Sequence, residues 1–355
     1  TGSSGFDGPG LERVKVWSPT MKVLVTGANG FVGSNLCGSL IKTGHSAVGL
    51  VRPSSDLTFL KNLPGLQIVK GDITQKESIE AAMKDVSIVY QVAGYASDWG
   101  PWETFRSVHV EGVRNVMDTA LQCGVQRVVY ISSVSVYGFP GGVAIDETAP
   151  LVPRSEDPYI TTKTEGEELA LSYQSDKLEV VVLRPAGVYG PNDRTTTLQL
   201  APVLVSRQFG YVDGGKYLMA PVYIDNLVQA IRLAAENDRA PGQVYNVVDD
   251  GKVTWKEYVE WMCEDLNCKT PWLSVPKWIA WPLAVVLDNT AKLLKKRESP
   301  MINKYRVRVV MNDNHYSTEK AKRELGYSPE ISTREGIKRT IDWYLKYTDS
   351  NIQKT

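Results

Sequence analysis

The sequence has few of the residues that usually indicate a metal site, a disulfide framework or a membrane span. It contains three histidines, and its four cysteines are Cys37, Cys123, Cys263 and Cys268. So few cysteines and histidines in a long chain predict reduced thiols in a cytoplasmic protein, and no metal site. No apolar run reaches the roughly 20 residues that a transmembrane helix needs.

Neither sign of charge is in excess, because 40 basic residues balance 40 acidic ones. Binding to nucleic acid needs a basic surface, so this balance argues against a nucleic-acid partner. The chain has 355 residues, and 43% of them are apolar, which is enough for a large core and about two domains. Residues 1–20 are rich in Gly, Ser and Pro and lack the apolar segment of a secretory signal. We interpret them as a flexible arm or a tag.

From residue 21 onward, short apolar runs alternate with segments of helical pattern. The runs, such as KVLVTG (22–27), are continuous in Val, Ile and Leu, which is typical of strands buried on both faces of a parallel sheet. We therefore predict an α/β fold with a doubly wound parallel sheet over residues 21–184. Residues 185–350 are predicted to form mostly a smaller α/β substrate-binding cap, with residues 221–248 returning to the sheet.

A glycine-rich turn, VTGANGFVG, follows the first predicted strand and has the pattern G-x-x-G-x-x-G. Glycine permits the sharp turn and the close approach of backbone to a pyrophosphate, which the N-terminus of the next helix can bind. The sequence therefore predicts a dinucleotide site. Its predicted contacts are Gly27, Asn29, Gly30, Phe31, Val32 and Gly33 in the turn, Asp72 and Ile73 near the adenine, Ala93 and Gly94 near the nicotinamide ribose, and Pro185 and Val188 further along.

The end of the second predicted strand indicates which dinucleotide is used. A carboxylate at this position would accept the ribose 2′-hydroxyl and favour NAD. This chain has Arg52 there, followed by Ser54 and Ser55. A guanidinium with nearby hydroxyls suits a 2′-phosphate, so we predict NADP and leave NAD open.

A serine, a tyrosine and a lysine are predicted to meet beside the nicotinamide. Ser133 ends a predicted strand, and Tyr159 and Lys163 share one face of a helix that begins after Asp157. A phenol is a poor base at neutral pH, and a neighbouring cation would lower its pKa. We predict that Tyr159 exchanges the proton, that Lys163 tunes it and binds the ribose, and that Ser133 steadies the substrate oxygen.

The glycine turn, Ser133, Tyr159-x-x-x-Lys163 and the stretch LRPAGVYGP together resemble an extended short-chain dehydrogenase/reductase, from residue 22 to about residue 233. Later stretches, such as SDWGPWETF and HYSTEKAKRELGYSPE, are similar to the 3β-hydroxysteroid dehydrogenase and sterol-4α-carboxylate 3-dehydrogenase branch. The resemblance implies a Rossmann fold and a catalytic set of Ser133, Tyr159 and Lys163. Bacterial ketoreductases and dihydroflavonol-reductase-like proteins belong to the same branch.

One position departs from the pattern of the family that the chain resembles. Members usually have asparagine at the head of N-V-x-G-T-x-N, whereas this chain reads HVEGVRN, with His109 first and Asn115 last. A buried histidine with satisfied hydrogen bonds is the interpretation we favour for His109. A proton relay is the alternative.

The predicted substrate side is apolar. Sugar-nucleotide enzymes of similar fold have an arginine-bearing stretch where this chain reads YVDGGKYLMAPVYIDN, without arginine. We expect oxidation of a secondary alcohol or reduction of a ketone on a steroid, terpenoid or acyl-like substrate. The alternatives are a sugar-nucleotide epimerase or dehydratase, a dihydroflavonol-reductase-like ketoreductase, and a nucleotide sensor without catalysis, against which the Ser-Tyr-Lys set argues. The predicted substrate contacts are Tyr95, Trp99, Ser135, Ala186, Tyr189, Tyr217 and Met219.

Residues 275–297 contain ten consecutive apolar residues, Trp278 to Leu287, followed by KLLKKR. The run is too short to span a bilayer, and Pro282 would also break a simple spanning helix. Aromatic and basic residues favour a segment that lies on an anionic membrane surface. The alternative is a lid buried over the substrate cleft. A second copy of the chain, in a homodimer, is the remaining partner that we consider.

Overall fold

The computed structural model describes residues 20–352, so the predicted arm lies outside the described residues except for its last residue. The strands within this range are β1 (Lys22–Thr26), β2 (Ser46–Val51), β3 (Gln67–Lys70), β4 (Ile88–Gln91), β5 (Arg127–Ile131), β6 (Gly142–Ile145), β7 (Glu179–Pro185), β8 (Gly187–Tyr189), β9 (Tyr211–Val212), β10 (Leu218–Met219), β11 (Pro221–Tyr223), β12 (Val244–Val247), β13 (Val253–Thr254), β14 (Ser274–Val275) and β15 (Asn314–Tyr316).

Helices cover both faces of the central sheet and build most of the cap. They are α1 (Phe31–Lys42), α2 (Glu77–Met83), α3 (Trp102–Arg106), α4 (Gly112–Gln122), α5 (Pro158–Leu171), α6 (Thr197–Val205), α7 (Ile224–Glu236), α8 (Trp255–Asp265), α9 (Lys277–Leu293), α10 (Lys304–Val310), α11 (Glu319–Leu325) and α12 (Thr333–Ile352). A π-helical turn, Ser107–Glu111, joins α3 to α4 without a break. Among the residues described, no helix combines the length and the apolar character needed to cross a membrane.

The central sheet has seven parallel strands in the order β12-β7-β5-β4-β1-β2-β3. The chain runs outward from β1 in one direction and then from β4 in the other, so the predicted doubly wound sheet is confirmed. In such sheets the ligand lies beyond the carboxyl ends of the strands, where the order reverses. Here that position is the crevice above β1 and β4.

The strands bury side chains on both faces, which explains their continuous apolar runs. In β1, Val23 and Val25 belong to one core cluster and Leu24 belongs to another on the opposite face. The first cluster packs below α1 and α7, and the second below α2, α4 and α5. A strand buried in this way has no solvent-facing side to carry polar residues.

The cap is assembled from several parts of the chain. Short paired strands build it, namely β8 with β11, β9 with β14, β10 with β13 and β6 with β15. Helix α9 is too short to span a membrane, and it continues through Pro282. The ring removes a single backbone hydrogen bond, and α9 packs against α10.

Candidate active site

Two elements bring Ser133 and Tyr159 together at the carboxyl edge of the sheet. Ser133 follows β5 in extended backbone and begins a 3₁₀ turn, Val134–Tyr137, and its Oγ accepts a hydrogen bond from the Ser135 amide. Helix α5 begins where the sequence predicts, because the Asp157 carboxylate accepts hydrogen bonds from the amides of Tyr159 and Ile160. This N-cap fixes Tyr159 in the first turn.

The surroundings of Tyr159 favour its neutral phenol. Burial raises the pKa of Tyr159, hydrogen bonding to Ser133 lowers it, and the Asp157 charge raises it further, while Ser135 lowers it by hydrogen bonding. The predicted lowering by Lys163 is not among these effects within the described residues. A neutral phenol beside a serine hydroxyl is suited to donate a proton to a carbonyl oxygen.

Lys163 lies one turn below Tyr159 and is almost fully buried. Its ammonium donates to the carbonyl of Ile131 at 2.8 Å, and the Tyr130 hydroxyl lies 3.4 Å away. Burial lowers the pKa of Lys163 to about 8, and the Glu167 charge partly opposes this change. Lys163 is therefore tied to the end of β5 rather than to the phenol.

A buried charged network lies beneath Ser133. Glu167, a further turn along α5, accepts from the Ser132 hydroxyl and forms an ion pair with Arg184 of β7. Arg184 also donates to the Tyr137 hydroxyl at 2.6 Å, and that hydroxyl donates to Asn246 at 2.9 Å. The network joins α5, β7, β12 and the turn after β5, so it fixes the positions of the elements that carry Ser133 and Tyr159.

His109 is a buried histidine whose hydrogen bonds are all satisfied, as the favoured interpretation expects. Its Nε2 accepts from the Tyr95 amide at 3.0 Å, so the proton resides on Nδ1, which faces Thr162 Oγ1 at 2.9 Å. Thr162 donates in turn to the Pro158 carbonyl. The chain of hydrogen bonds ends on a backbone oxygen, so it provides no path for a relayed proton. Burial lowers the pKa of His109 to about 3, with a further lowering from Lys163.

Aromatic rings surround the Tyr159 side chain. Phe105 from α3 and Tyr305 from α10 meet it edge to face, with ring centroids 6.4 and 6.1 Å away. Tyr305 is not predicted by the sequence, because nothing in its local pattern links a helix of the cap to residue 159. The only signal was an aromatic residue within an otherwise basic stretch, NKYRVR.

A cavity of about 650 Å³ adjoins this aromatic cluster. It lies between the loop before α3, the start of α5 and the facing helices α9 and α10. Trp99, Trp102 and Tyr305 supply its apolar lining, and its rim has charges of both signs, including Lys292 and Arg308. The cavity is therefore less uniformly apolar than the sequence analysis expects.

The glycine turn has the shape that a pyrophosphate needs. Gly27 has φ of +64°, and a Cβ at this position would lie 2.9 Å from the Ala93 Cα. A Cβ on Gly33 would lie 2.3 Å from the Gly27 carbonyl oxygen, so the close packing of α1 requires glycine. Helix α1 has no side-chain cap, and its first amides are thus available to a phosphate.

The other predicted dinucleotide contacts lie around the same crevice. Arg52 is exposed directly after β2, and the Ser55 hydroxyl is buried with no hydrogen-bond partner among the described residues. Asp72 holds a local turn through Thr74, which leaves its second carboxylate oxygen available. The remaining predicted dinucleotide contacts lie at the ends of β1, β3, β4 and β7 or in the segments that follow these strands. They are Asn29, Gly30, Phe31, Val32, Ile73, Gly94, Pro185 and Val188.

The predicted substrate contacts separate into two groups. Trp99 lines the cavity, Tyr95 packs on Phe105 at 4.8 Å, and the buried Ser135 lies close enough to Tyr159 to affect its pKa. Ala186, directly after β7, is half-buried.

The other group lies away from the open cavity. Tyr189 is 1% exposed and donates its hydroxyl to Asp249, so it is a core residue and its prediction as a substrate contact is wrong. Met219 is buried in β10, and Tyr217 bonds to Asp213 of the cap.

Comparison with known proteins agrees with this geometry. The sequence model of the NAD dependent epimerase/dehydratase family matches residues 23–247. A 3beta-hydroxysteroid-dehydrogenase/decarboxylase of Arabidopsis thaliana is 29% identical over 305 residues, which cover 82% of this chain and 69% of the relative. A 2-alkyl-3-oxoalkanoate reductase of Shewanella oneidensis is 28% identical over 334 residues, covering 89% of this chain and 84% of the relative.

Solved structures share the fold over almost the whole chain. A UDP-glucuronic acid 4-epimerase from Bacillus cereus, in complex with NAD, superimposes with a TM-score of 0.72 at 22% identity. The match covers 92% of this chain and 99% of the epimerase. At this identity the likeness establishes the architecture and leaves the substrate open.

Proposed function

Because the chain belongs to the NAD-dependent epimerase/dehydratase family, we propose that it interconverts a secondary alcohol and a ketone on an apolar skeleton, with NADP as the preferred cofactor. It is an NAD(P)-dependent oxidoreductase of the extended short-chain type. The observation that carries the proposal is the position of Tyr159. Its neutral phenol lies beside Ser133, and Tyr305, whose ring contacts it, lines an open cavity.

In the reductive direction, each of the three residues has a separate role. A bound nicotinamide supplies the hydride. Tyr159 donates its proton to the ketone oxygen, and Ser133 donates a hydrogen bond to the same oxygen as negative charge develops. Lys163, whose ammonium donates to the Ile131 carbonyl rather than to the phenol, would bind the ribose of the cofactor. Oxidation of an alcohol uses the same groups in reverse.

The substrate class is supported by the cavity and by the names of the relatives. Trp99, Trp102 and Tyr305 provide apolar surface near Tyr159, and both relatives named above act, by their names, on a 3-hydroxysteroid or a 3-oxoalkanoate. Cations on the rim, such as Arg308, suit a substrate that also carries a carboxylate. A 3-hydroxy acid of this kind would give on oxidation a β-keto acid, which loses CO2 readily.

The proposal is tested by turnover with NADPH or NADP on a panel of 3β-hydroxysteroids, 2-alkyl-3-oxoalkanoates and UDP-sugars. We expect hydride transfer with a steroid or acyl member and none with the sugars. Epimerisation of a UDP-sugar without net cofactor turnover would refute the proposal.

The choice of NADP rests on Arg52 and the unpartnered Ser55 hydroxyl. Arg52→Ala should lower the ratio of kcat/KM for NADPH to that for NADH by roughly tenfold or more, the scale of a lost hydrogen bond to a charged group. Lys61→Ala removes an exposed cation from the same loop and serves as the control. A wild-type enzyme that prefers NADH would contradict the assignment.

A further inference from the structure

Helix α9 exposes the apolar side chains that a soluble cap would bury. Its buried positions are the small residues Ala280, Ala284 and Ala291, together with Asp288. Trp278 is 72% exposed, Val286 61% and Leu293 82%. The apolar residues of this segment are therefore not buried as the lid interpretation expects, because only one narrow stripe of α9 faces the protein.

The exposed surface extends beyond the helix at its N-terminal side. Trp272 is 85% exposed and Leu273 is exposed as well, just before β14 leads into α9. Large contiguous apolar surfaces are unusual on soluble proteins and indicate contact with a partner or a membrane. Tryptophan is the residue most typical of the boundary between water and lipid.

Within residues 272–297 of the chain almost all charges are positive. Between residues 272 and 297 the single acid is Asp288, which is buried and pairs with Lys292 at 2.8 Å. The cations lie at the two ends of the helix: Lys277 at the start, and Lys292, Lys295, Lys296 and Arg297 at the end. Anionic headgroups would neutralise these cations, whereas a second copy of the face would place like charges against one another.

We propose that the exposed face of α9, with Trp272 and Leu273, is a docking surface for an anionic lipid bilayer. The helix lies in the plane of the interface, with its apolar side chains among the acyl chains and its terminal cations at the headgroups. Contact of this kind is peripheral and agrees with the lack of a spanning helix among the described residues.

The docking surface is connected directly to the cavity beside Tyr159. The Trp99 indole donates to the Lys296 carbonyl at the end of α9, and α10, which packs on α9, carries Tyr305. A substrate dissolved in the bilayer would thus reach the cavity without crossing water. This last consequence rests on the proposed function, whereas the docking itself does not.

The test is co-sedimentation of the full chain with vesicles of phosphatidylcholine, with and without phosphatidylserine, in the absence of substrate. We expect binding that needs phosphatidylserine and weakens with salt. Trp278→Ser/Val286→Ser and Lys295→Glu/Lys296→Glu should each lower the partition coefficient by about tenfold or more, from lost apolar burial and from charge reversal respectively.

Matched controls change exposed residues on other faces. Leu121→Ser/Val143→Ser removes exposed apolar side chains, and Lys61→Glu/Lys70→Glu reverses exposed charges; both should bind vesicles as the wild type does. Absence of wild-type protein from the pellet, or equal binding by the α9 variants, would overturn the proposal. A dimer in sedimentation velocity that Trp278→Ser/Val286→Ser dissociates, without vesicle binding, would assign the face to a second copy instead.

Discussion

Tyr159 is the residue on which the proposed chemistry depends most directly. Tyr159→Phe removes the proton donor and keeps the ring that packs against Phe105 and Tyr305. We expect kcat to fall by roughly 10²-fold or more, while the dissociation constant for NADPH changes little. Tyr137→Phe is no suitable control because its hydroxyl belongs to the buried network, whereas Tyr173→Phe removes a hydroxyl remote from the site. Wild-type turnover in Tyr159→Phe would exclude Tyr159 as the acid.

His109 makes folding sensitive to acid. Its pKa is about 3 in the folded protein against 6.5 for the free side chain. The unfolded state therefore binds the extra proton first, and the stability present above pH 6.5 is lost as the pH falls from 6.5 towards 3. Each pH unit within that window costs about 1.4 kcal/mol.

We therefore expect His109→Asn to remove this loss. Relative to the wild type, the free energy of unfolding of the variant should rise by about 2–3 kcal/mol when the pH falls from 6.5 to 4.5, as measured by urea denaturation. His315→Asn changes a less buried histidine, so it should alter the pH dependence of the free energy of unfolding less. If the difference in free energy of unfolding between His109→Asn and the wild type stayed the same from pH 6.5 to 4.5, His109 would be accessible to protons in the folded protein.

The sequence predicted the placement of Tyr159 and Lys163 at the start of one helix because that placement has local signals. Asp157 caps α5, and Tyr159 and Lys163 follow at helical spacing. The sequence does not predict which side chains the tertiary structure buries. Tyr189 follows β7 and was predicted to contact the substrate, but its hydroxyl donates to Asp249 in the core. Tyr305 was missed for the same reason, since its neighbour is 146 positions away in the chain and no periodicity records that distance.

At the scale of elements, α5 is held by a carboxylate that has no access to water. Glu167 is fully buried, and its charge is balanced by Arg184. Glu167→Gln would leave a buried guanidinium without a counter-charge, which should lower the free energy of unfolding by about 3–5 kcal/mol. The pKa of Lys163 should fall further, because Glu167 is the charge that raises it.

Glu168→Gln is the matched control for this helix. Glu168 is the next residue of α5 and is exposed, so its substitution should change stability by less than about 0.5 kcal/mol. Chemical denaturation of the two variants at pH 7 compares them directly. Equal stability in both would mean that the Glu167–Arg184 pair contributes nothing that a neutral amide cannot replace.

For the molecule as a whole, contacts between the cap and the sheet domain should control access of the substrate. Asp98, in the loop before α3, pairs with Arg306 of α10 at 2.5 Å and also accepts from Asn303. Asp98→Asn loosens this link. We expect KM for the ketone to rise by roughly fivefold, the scale of one partly exposed ion pair, with the affinity for NADPH unchanged.

The control for this prediction is Lys256→Gln, which removes an exposed ion pair between two residues of the same helix, α8. It should leave both constants as in the wild type. A change in the affinity for NADPH with Asp98→Asn would mean that the loop belongs to the dinucleotide site rather than to the cap.

The interleaved path of the chain limits how the molecule can be divided. The edge strand β12 and helix α7 complete the sheet domain, yet both come after cap segments. A fragment that ends at residue 185 would lack both and would uncover β7 and the face of β5 on which α7 packs. A chimera that exchanges substrate halves between relatives must therefore keep residues 224–247 with the dinucleotide half, and grafts of the cap have to be made in pieces.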